Sequence, residues 1–217
     1  MLQGAPAPSI EHDFLRRLDV ETVIDVGANI GQFATWVRWR FPDAALISFE
    51  PFPHAAATYR QHVSGPRVTL HECALGSLAG TSTLHVAGSD DSSSLLEIGD
   101  RQVELYPSTK EVDTIEVPVR RLDEIVTTND LRGAALLKID VQGTELDVLH
   151  GASALVGSIR WVYVECSFVE LYTGQALAPE IVRFLDAADF DLEGIYNVSY
   201  HDGRAIQGDF LFVSRLA

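Results

Sequence analysis

Lysine is nearly missing from this 217-residue chain: only Lys110 and Lys138 accompany its arginines. Cysteine is as sparse. Cys73 and Cys166 stand far apart with no CxxC pair, so the spacing suggests neither a disulfide framework nor a zinc site, and buried free thiols are expected. No apolar run approaches the length of a membrane span. The first apolar stretch is broken by Glu11, His12, Asp13, Arg16 and Arg17, unlike the core of a signal peptide, so a cytoplasmic protein away from membranes is expected. Positive charge is short overall. A formal net charge of -15 repels phosphate backbones and anionic lipid, which argues against nucleic acid as a partner. With no internal repeat and no Pro/Ser linker, a single domain over 1–217 is expected.

What is present is alternation. An N-terminal helical segment at about 9–18, capped by Ser9, offers Ile10, Phe14, Leu15 and Leu18 as an apolar face. Short apolar strands follow at 22–26, 45–49 and 68–75, with helices between them at 30–41 and 54–63. This βαβαβ rhythm predicts a mostly parallel sheet with helices on both faces. It then breaks. Residues 81–86 and 112–119 alternate as antiparallel strands, and the polar stretch between them makes about 88–119 a loop or arm inserted in the domain. Strands at 135–140 and 159–166 and helices at 143–155 and 179–188 resume the pattern. The chain closes with 192–200 and 205–214 joined across His201-Asp202-Gly203-Arg204, where Asp-Gly signals a tight antiparallel hairpin.

The stretch DVGANIG ends the first strand in a glycine turn that opens a helix. Gly27 allows a sharp exit, Gly31 removes a side chain near a helix N-terminus, and exposed N–H groups there suit an anionic ligand group. Asp25 and Asn29 add an acceptor and an amide. Asn29 and Gln32 replace glycines of the dinucleotide fingerprint GxGxxG, so pyrophosphate is less well accommodated. Glu50, closing the second strand, can accept both ribose hydroxyls of a bound adenosine.

DVGANIG, FEP, CALG, DSSSL, LKIDVQGTELDVLHGA and VECSFVELYTGQ, in this order, resemble the FkbM family of S-adenosylmethionine-dependent methyltransferases over about 23–213. The resemblance implies a Rossmann-like class I methyltransferase fold, with a seven-stranded sheet ending in the hairpin. It also implies adenosylmethionine as cofactor and methyl transfer commonly to oxygen. By that resemblance Asp25, Gly27, Asn29 and Gly31 line the methionine end, Glu50 the ribose and Ala74 the adenine, while Asp140 faces the sulfonium or the acceptor. Family members often carry Glu where this chain has Gln142.

A hydroxyl acceptor must lose a proton, so a general base is sought among carboxylates at strand ends and nearby groups. Asp140 and Glu165 lead, followed by Glu145, Glu170 and His201, the one histidine placed at the catalytic rim. Glu145 and Asp147 read as the solvated face of a helix. Ser93, Ser94, Phe168, Tyr172, Gln175 and Tyr196 are expected to wall the acceptor, a small sugar or natural-product hydroxyl. Mg²⁺ is compatible with neighbouring carboxylates, but no ligand spacing requires it, so no metal is expected. The oligomeric state is open, a homodimer among the options. Two competing readings remain: a non-catalytic adenosylmethionine-binding module and an NAD-dependent oxidoreductase, the latter lacking a Tyr-x-x-x-Lys pair.

Overall fold

The computed structural model describes residues 10–89 and 91–216. The proposed cap Ser9 lies outside them. The chain enters as a 3-10 helix, Ile10–Arg17, rather than an α-helix, so its side chains repeat every three residues. His12, Leu15 and Leu18 thereby share the inward face, with Leu15 fully buried.

The main sheet begins with β1 (Thr22–Val26) and β2 (Ala45–Phe49), joined by α1 (Gln32–Arg40). Helix α2 (Pro53–His62), begun by Pro53 at its first turn, leads to β3 (Val68–His71). The single strand expected at 68–75 is broken after His71. β4 (Ala74–Leu75) leaves the main sheet and pairs with β6 (Glu111–Arg120), which in turn pairs antiparallel with β5 (Gly80–Ala87). A separate three-stranded sheet with its own small apolar cluster results. The stretch 88–119 is therefore only partly loop: it carries helix α3 (Asp100–Leu105) and most of β6.

After α4 (Leu122–Ile125), the chain returns to the centre as β7 (Ala135–Ile139), whose five residues are all buried. α5 (Glu145–Gly151), β8 (Trp161–Ser167), α6 (Ala178–Ala187), β9 (Phe190–His201) and β10 (Arg204–Ser214) complete it. The strand order is β3-β2-β1-β7-β8-β10-β9, parallel except for β10. Asp202 and Gly203, at φ 49 and 74, take the left-handed conformations that a two-residue hairpin turn demands. α1, α2 and the N-terminal segment cover one face; α4, α5 and α6 cover the other. The sequence β1, outward to β3, then back to β7 beside β1 creates a crevice at their carboxyl ends, the place where open α/β sheets bind ligands.

Trp36, fully buried in α1, leaves its indole N–H with no hydrogen-bond partner among the described residues. Trp36→Ala should cost about 3–5 kcal/mol in urea denaturation. Trp36→Phe, which removes the unpaired donor along with some volume, should cost at most about 1.5 kcal/mol.

Candidate active site

The crevice is built on the end of β1. Gly27 has φ 77, and a Cβ there would lie 1.8 Å from the carbonyl oxygen of Asp140, so glycine is required by the packing of the two strand exits as well as by the turn. Gly31 is needed for a different reason from the one its position suggests. Its Cβ would meet Val63 at 2.7 Å and Tyr59 at 3.1 Å, which makes it the contact point of α1 on α2; it lines neither cavity described below.

The amides of this turn are not free for an anion. Gly27 and Ala28 both donate to the Phe49 carbonyl, Asn29 donates to Glu50, Ile30 to the Asn29 side chain, and Gly31 to Ala28. Among the described residues the amides left without a partner are those of Gln32, Phe33 and Ala34, the first turn of α1.

Glu50 is buried, with one oxygen accepting from Asn29 N and the other from Phe52 N, each at 2.7 Å. A carboxylate has about four acceptor positions, so two remain, the number a vicinal diol needs. Burial pushes its pKa up to about 7, against the pull of the Phe52 and Asn29 amides. Glu50 lines a cleft of about 700 Å³, counted with its open mouth, whose apolar walls include Phe49, Phe52, Ala74, Leu84 and Val141. Its polar end holds Asn29 and Asp140. The apolar walls with few polar groups are those of a small-molecule site, and the free positions on Glu50 beside them suit the hydroxyls of a ribose.

Under the turn lies Lys138, which the sequence showed only as one of two lysines. Its ammonium is buried 3.3 Å from Asp25 and 3.7 Å from Asp140, and donates to the carbonyl of Gly27 at 2.9 Å. Burial works to lower its pKa, but Asp25 and Asp140 outweigh it and the net shift is upward. Asp25 is fully buried and its oxygens have no well-aligned hydrogen bond. Burial raises its pKa against the pull of Lys138. It is thus beneath the site rather than in it.

The loop after β7 gathers the remaining carboxylates. Gln142, at φ 58, donates to Asp140 at 2.7 Å and to Glu165 at 3.0 Å, and accepts from Tyr172 at 2.8 Å. Its amide therefore does what a glutamate could not: it gives a donor to two carboxylates at once. Glu145, read from the sequence as solvated, is buried and accepts from the amides of Val141 and Gly143, holding this loop. Asp147 is exposed as expected. The arm is tied here too, through the Ser94 hydroxyl donating to the Gln142 carbonyl at 2.6 Å.

With this geometry in place, the comparisons decide the family. The model of the methyltransferase FkbM domain matches residues 25–192. The chain belongs to that family. "Methyltransferase 1" of Beauveria bassiana is 30% identical over 171 residues, covering 70% of this chain and 65% of its own length. "2-O-methyltransferase NoeI" of Sinorhizobium fredii is 31% identical over 197 residues, covering 87% of this chain and 77% of its own. Among solved structures, magnesium protoporphyrin IX methyltransferase from Synechocystis PCC 6803 with bound SAM aligns with TM-score 0.53 and 11% identity over 95% of this chain and 76% of that one, a likeness of fold.

This FkbM-family chain has a further cavity of about 940 Å³, again counted with its open mouth, adjoining the first at Gly27, Asn29, Asp91 and Asp140. Its wall also includes Glu11, His12, Phe33, Lys138, Glu165 and Asp209. Burial, then Asp140, Asp209 and Glu145, push the pKa of Glu165 well above the usual carboxylate range, and its oxygens accept from Gln142 and Gln207. Ala74, Asn29, Glu50, Asp140, Ser93, Ser94 and Glu165 are thus brought to the two cavities, Ser94 serving at the same time as the tether. Others are not. Tyr172 is buried behind Gln142, and Gln175 caps the amides of Leu171 and Tyr172. Phe168 lies near Phe210, Tyr196 stacks on Phe14, Glu170 caps Gly174, and His201 is exposed at the hairpin tip beside Asp202. None of these six lines either cavity. His12 does, and only the three-residue period of its segment could have turned it inward on paper.

No three His, Cys, Asp or Glu side chains converge on a metal position among the described residues. No described helix is long and apolar enough to cross a membrane.

Because Glu50 accepts best when ionised, adenosylmethionine affinity should fall on the order of tenfold as pH drops through about 7, and calorimetry should show proton release on binding below that pH. Glu50→Gln should bind more weakly at pH 8 and lose this dependence. Lys138→Met, which leaves Asp25 buried without its counter-charge, should cost about 3–5 kcal/mol of stability, read by chemical denaturation.

Proposed function

We propose that the chain transfers the methyl group of S-adenosylmethionine to a hydroxyl oxygen of a small polyol or natural-product acceptor. The observation that carries this reading is the junction of the two cavities at Asp140: an apolar-walled cleft with Glu50 on one side, an acid-lined chamber on the other. Glu50 would hold the ribose, and Ala74 with Phe49 and Phe52 the adenine. The first-turn amides of α1 would take the methionine carboxylate. Bound there, adenosylmethionine supplies an electrophilic methyl group.

The chain supplies placement. Asp140, held by Gln142 at 2.7 Å, keeps a carboxylate at the cavity junction, where it favours a positive charge over a neutral one. Aligning the acceptor oxygen with the methyl in a chamber that restricts its motion is worth about 7–11 kcal/mol in well-oriented systems. Glu165, whose oxygens are held by the side-chain amides of Gln142 and Gln207, places a second carboxyl group on the acceptor side. The 2-O-methyltransferase named among the relatives supports an oxygen acceptor, and an acid-lined chamber disfavours anionic ones.

Labelled-methyl transfer to methyl hexopyranosides and cyclohexane-1,2-diol, with mass-spectrometric location of the new methyl, tests the reaction. Asp140→Asn, which removes the charge at the junction, should weaken binding of the cationic adenosylmethionine on the order of tenfold more than that of adenosylhomocysteine, whose sulfur is neutral. Thermal stabilisation by NADH but not by adenosylmethionine or adenosylhomocysteine would sink the reading. Binding of adenosylmethionine with no transfer to any acceptor would leave the chain a binding module.

A further inference from the structure

The chamber on the acceptor side contains one neutral nitrogen base, and it comes from the N-terminal 3-10 segment. His12 packs edge-on against Phe33, Trp36 and Tyr163, with ring centroids at 5.0, 6.3 and 5.5 Å, so its ring plane is fixed by three aromatic neighbours. Its Nδ1 lies 2.9 Å from the Tyr163 hydroxyl. That hydroxyl donates to Asp209 Oδ2 at 2.6 Å, and Asn197 donates to the same oxygen at 2.8 Å.

The direction of these bonds fixes the imidazole. A phenol has one proton, and Tyr163 gives it to Asp209. Its oxygen can therefore only accept from His12, so Nδ1 carries the ring proton and Nε2 carries the lone pair. Nε2 has no hydrogen-bond partner among the described residues; Glu11 is 4.0 Å away. His12 lines the same cavity as Gly27, Asp140 and Glu165. Of the carboxylates considered for the base, Glu145 is spent on the amides of Val141 and Gly143 and Glu170 caps Gly174 away from the cavity, while Asp140 accepts from Gln142 and Glu165 from both Gln142 and Gln207.

We propose that His12 Nε2 is the general base that removes the acceptor's hydroxyl proton, with Tyr163 and Asp209 as positioning residues that hold the imidazole in the required tautomer. This rests on the methyl-transfer reading above. In the step, Nε2 takes the hydroxyl proton while the acceptor oxygen forms its bond to the methyl carbon. The carbon–sulfur bond breaks with its electron pair on sulfur, and the imidazolium then returns its proton to solvent. One positive charge disappears from sulfur as another appears on His12, so the site's net charge is constant through the step. That matters beside Lys138, whose ammonium opposes any added cation.

Burial first and Lys138 next push His12 down to about 4, against Glu11 and Asp140, which raise it. Phe33, Trp36 and Tyr163 add no ionised group on the faces they cover. The ring is thus neutral across the physiological range, and at saturating cofactor the acid limb of kcat lies well below the ordinary histidine range.

Long-range proton–nitrogen spectra of ¹⁵N-histidine-labelled protein, with His12 assigned by its absence in His12→Gln, provide a readout that needs no acceptor. At neutral pH they should show Nδ1 protonated and Nε2 bare. Tyr163→Phe should shift population to the other tautomer and lower kcat with little change in acceptor KM. His12→Gln should lower transfer to the hexopyranoside and diol panel by 10²–10⁴-fold while adenosylhomocysteine binding stays within threefold by calorimetry. An Nε2-protonated or charged ring at neutral pH overturns the proposal, as does His12→Gln transferring methyl at the wild-type rate. Wild-type protein that binds no adenosylmethionine instead overturns the methyl-transfer reading on which it stands.

Discussion

The molecule is organised around a single buried ammonium. At the switch point β1 and β7 stay in contact to their ends, where Asp140 N donates to the Val26 carbonyl at 3.1 Å. Lys138 holds this junction from below, bridging Asp25, the Gly27 carbonyl and Asp140. A buried ion pair of this kind gives little net stability, because desolvation offsets most of its attraction. What it gives is position. The turn, the floor of the crevice and the carboxylate at its centre are tied to one atom.

The loop after β7 extends this order outward. Gln142 links Asp140, Glu165 and Tyr172 with one side-chain amide, and its backbone carbonyl accepts the Ser94 tether, so the arm beside the Glu50 cleft and the acids of the second chamber share a residue. Glu145 secures the same loop from within through two backbone amides. The two cavities are therefore parts of one hydrogen-bonded assembly rather than neighbouring hollows.

Most of the sheet is legible in the sequence because a strand buried on both faces has to be a short apolar run, and a helix covering it has to repeat at near four. Position is harder to read than type. Gly31 is a glycine because α2 presses on it, a contact between helices that no local pattern contains. Glu145 falls on the polar face of its helix by periodicity, yet that face meets the loop it caps. Tyr172 belongs to an aromatic stretch that looks like a binding wall, and folding turns it inward to hold Gln142, whereas Ser94 both lines the cleft and tethers Gln142. Lys138 stands out only as a rarity, and His12 only if its segment is counted in threes. Asn29, Glu50, Ala74 and Asp140 were legible because each sits at a strand end or in the turn beside one, where the fold itself dictates exposure to the crevice.

The turn after β1 commits all five of its amides, from Gly27 to Gly31, before any ligand arrives: two to the Phe49 carbonyl, one to Glu50 and two within the turn itself. Only the first-turn amides of α1 remain for an anion, so the turn adds no donor of its own for a pyrophosphate. The same completeness means that the crevice keeps its shape when empty, so a ligand that fits it does not have to fold the site around itself.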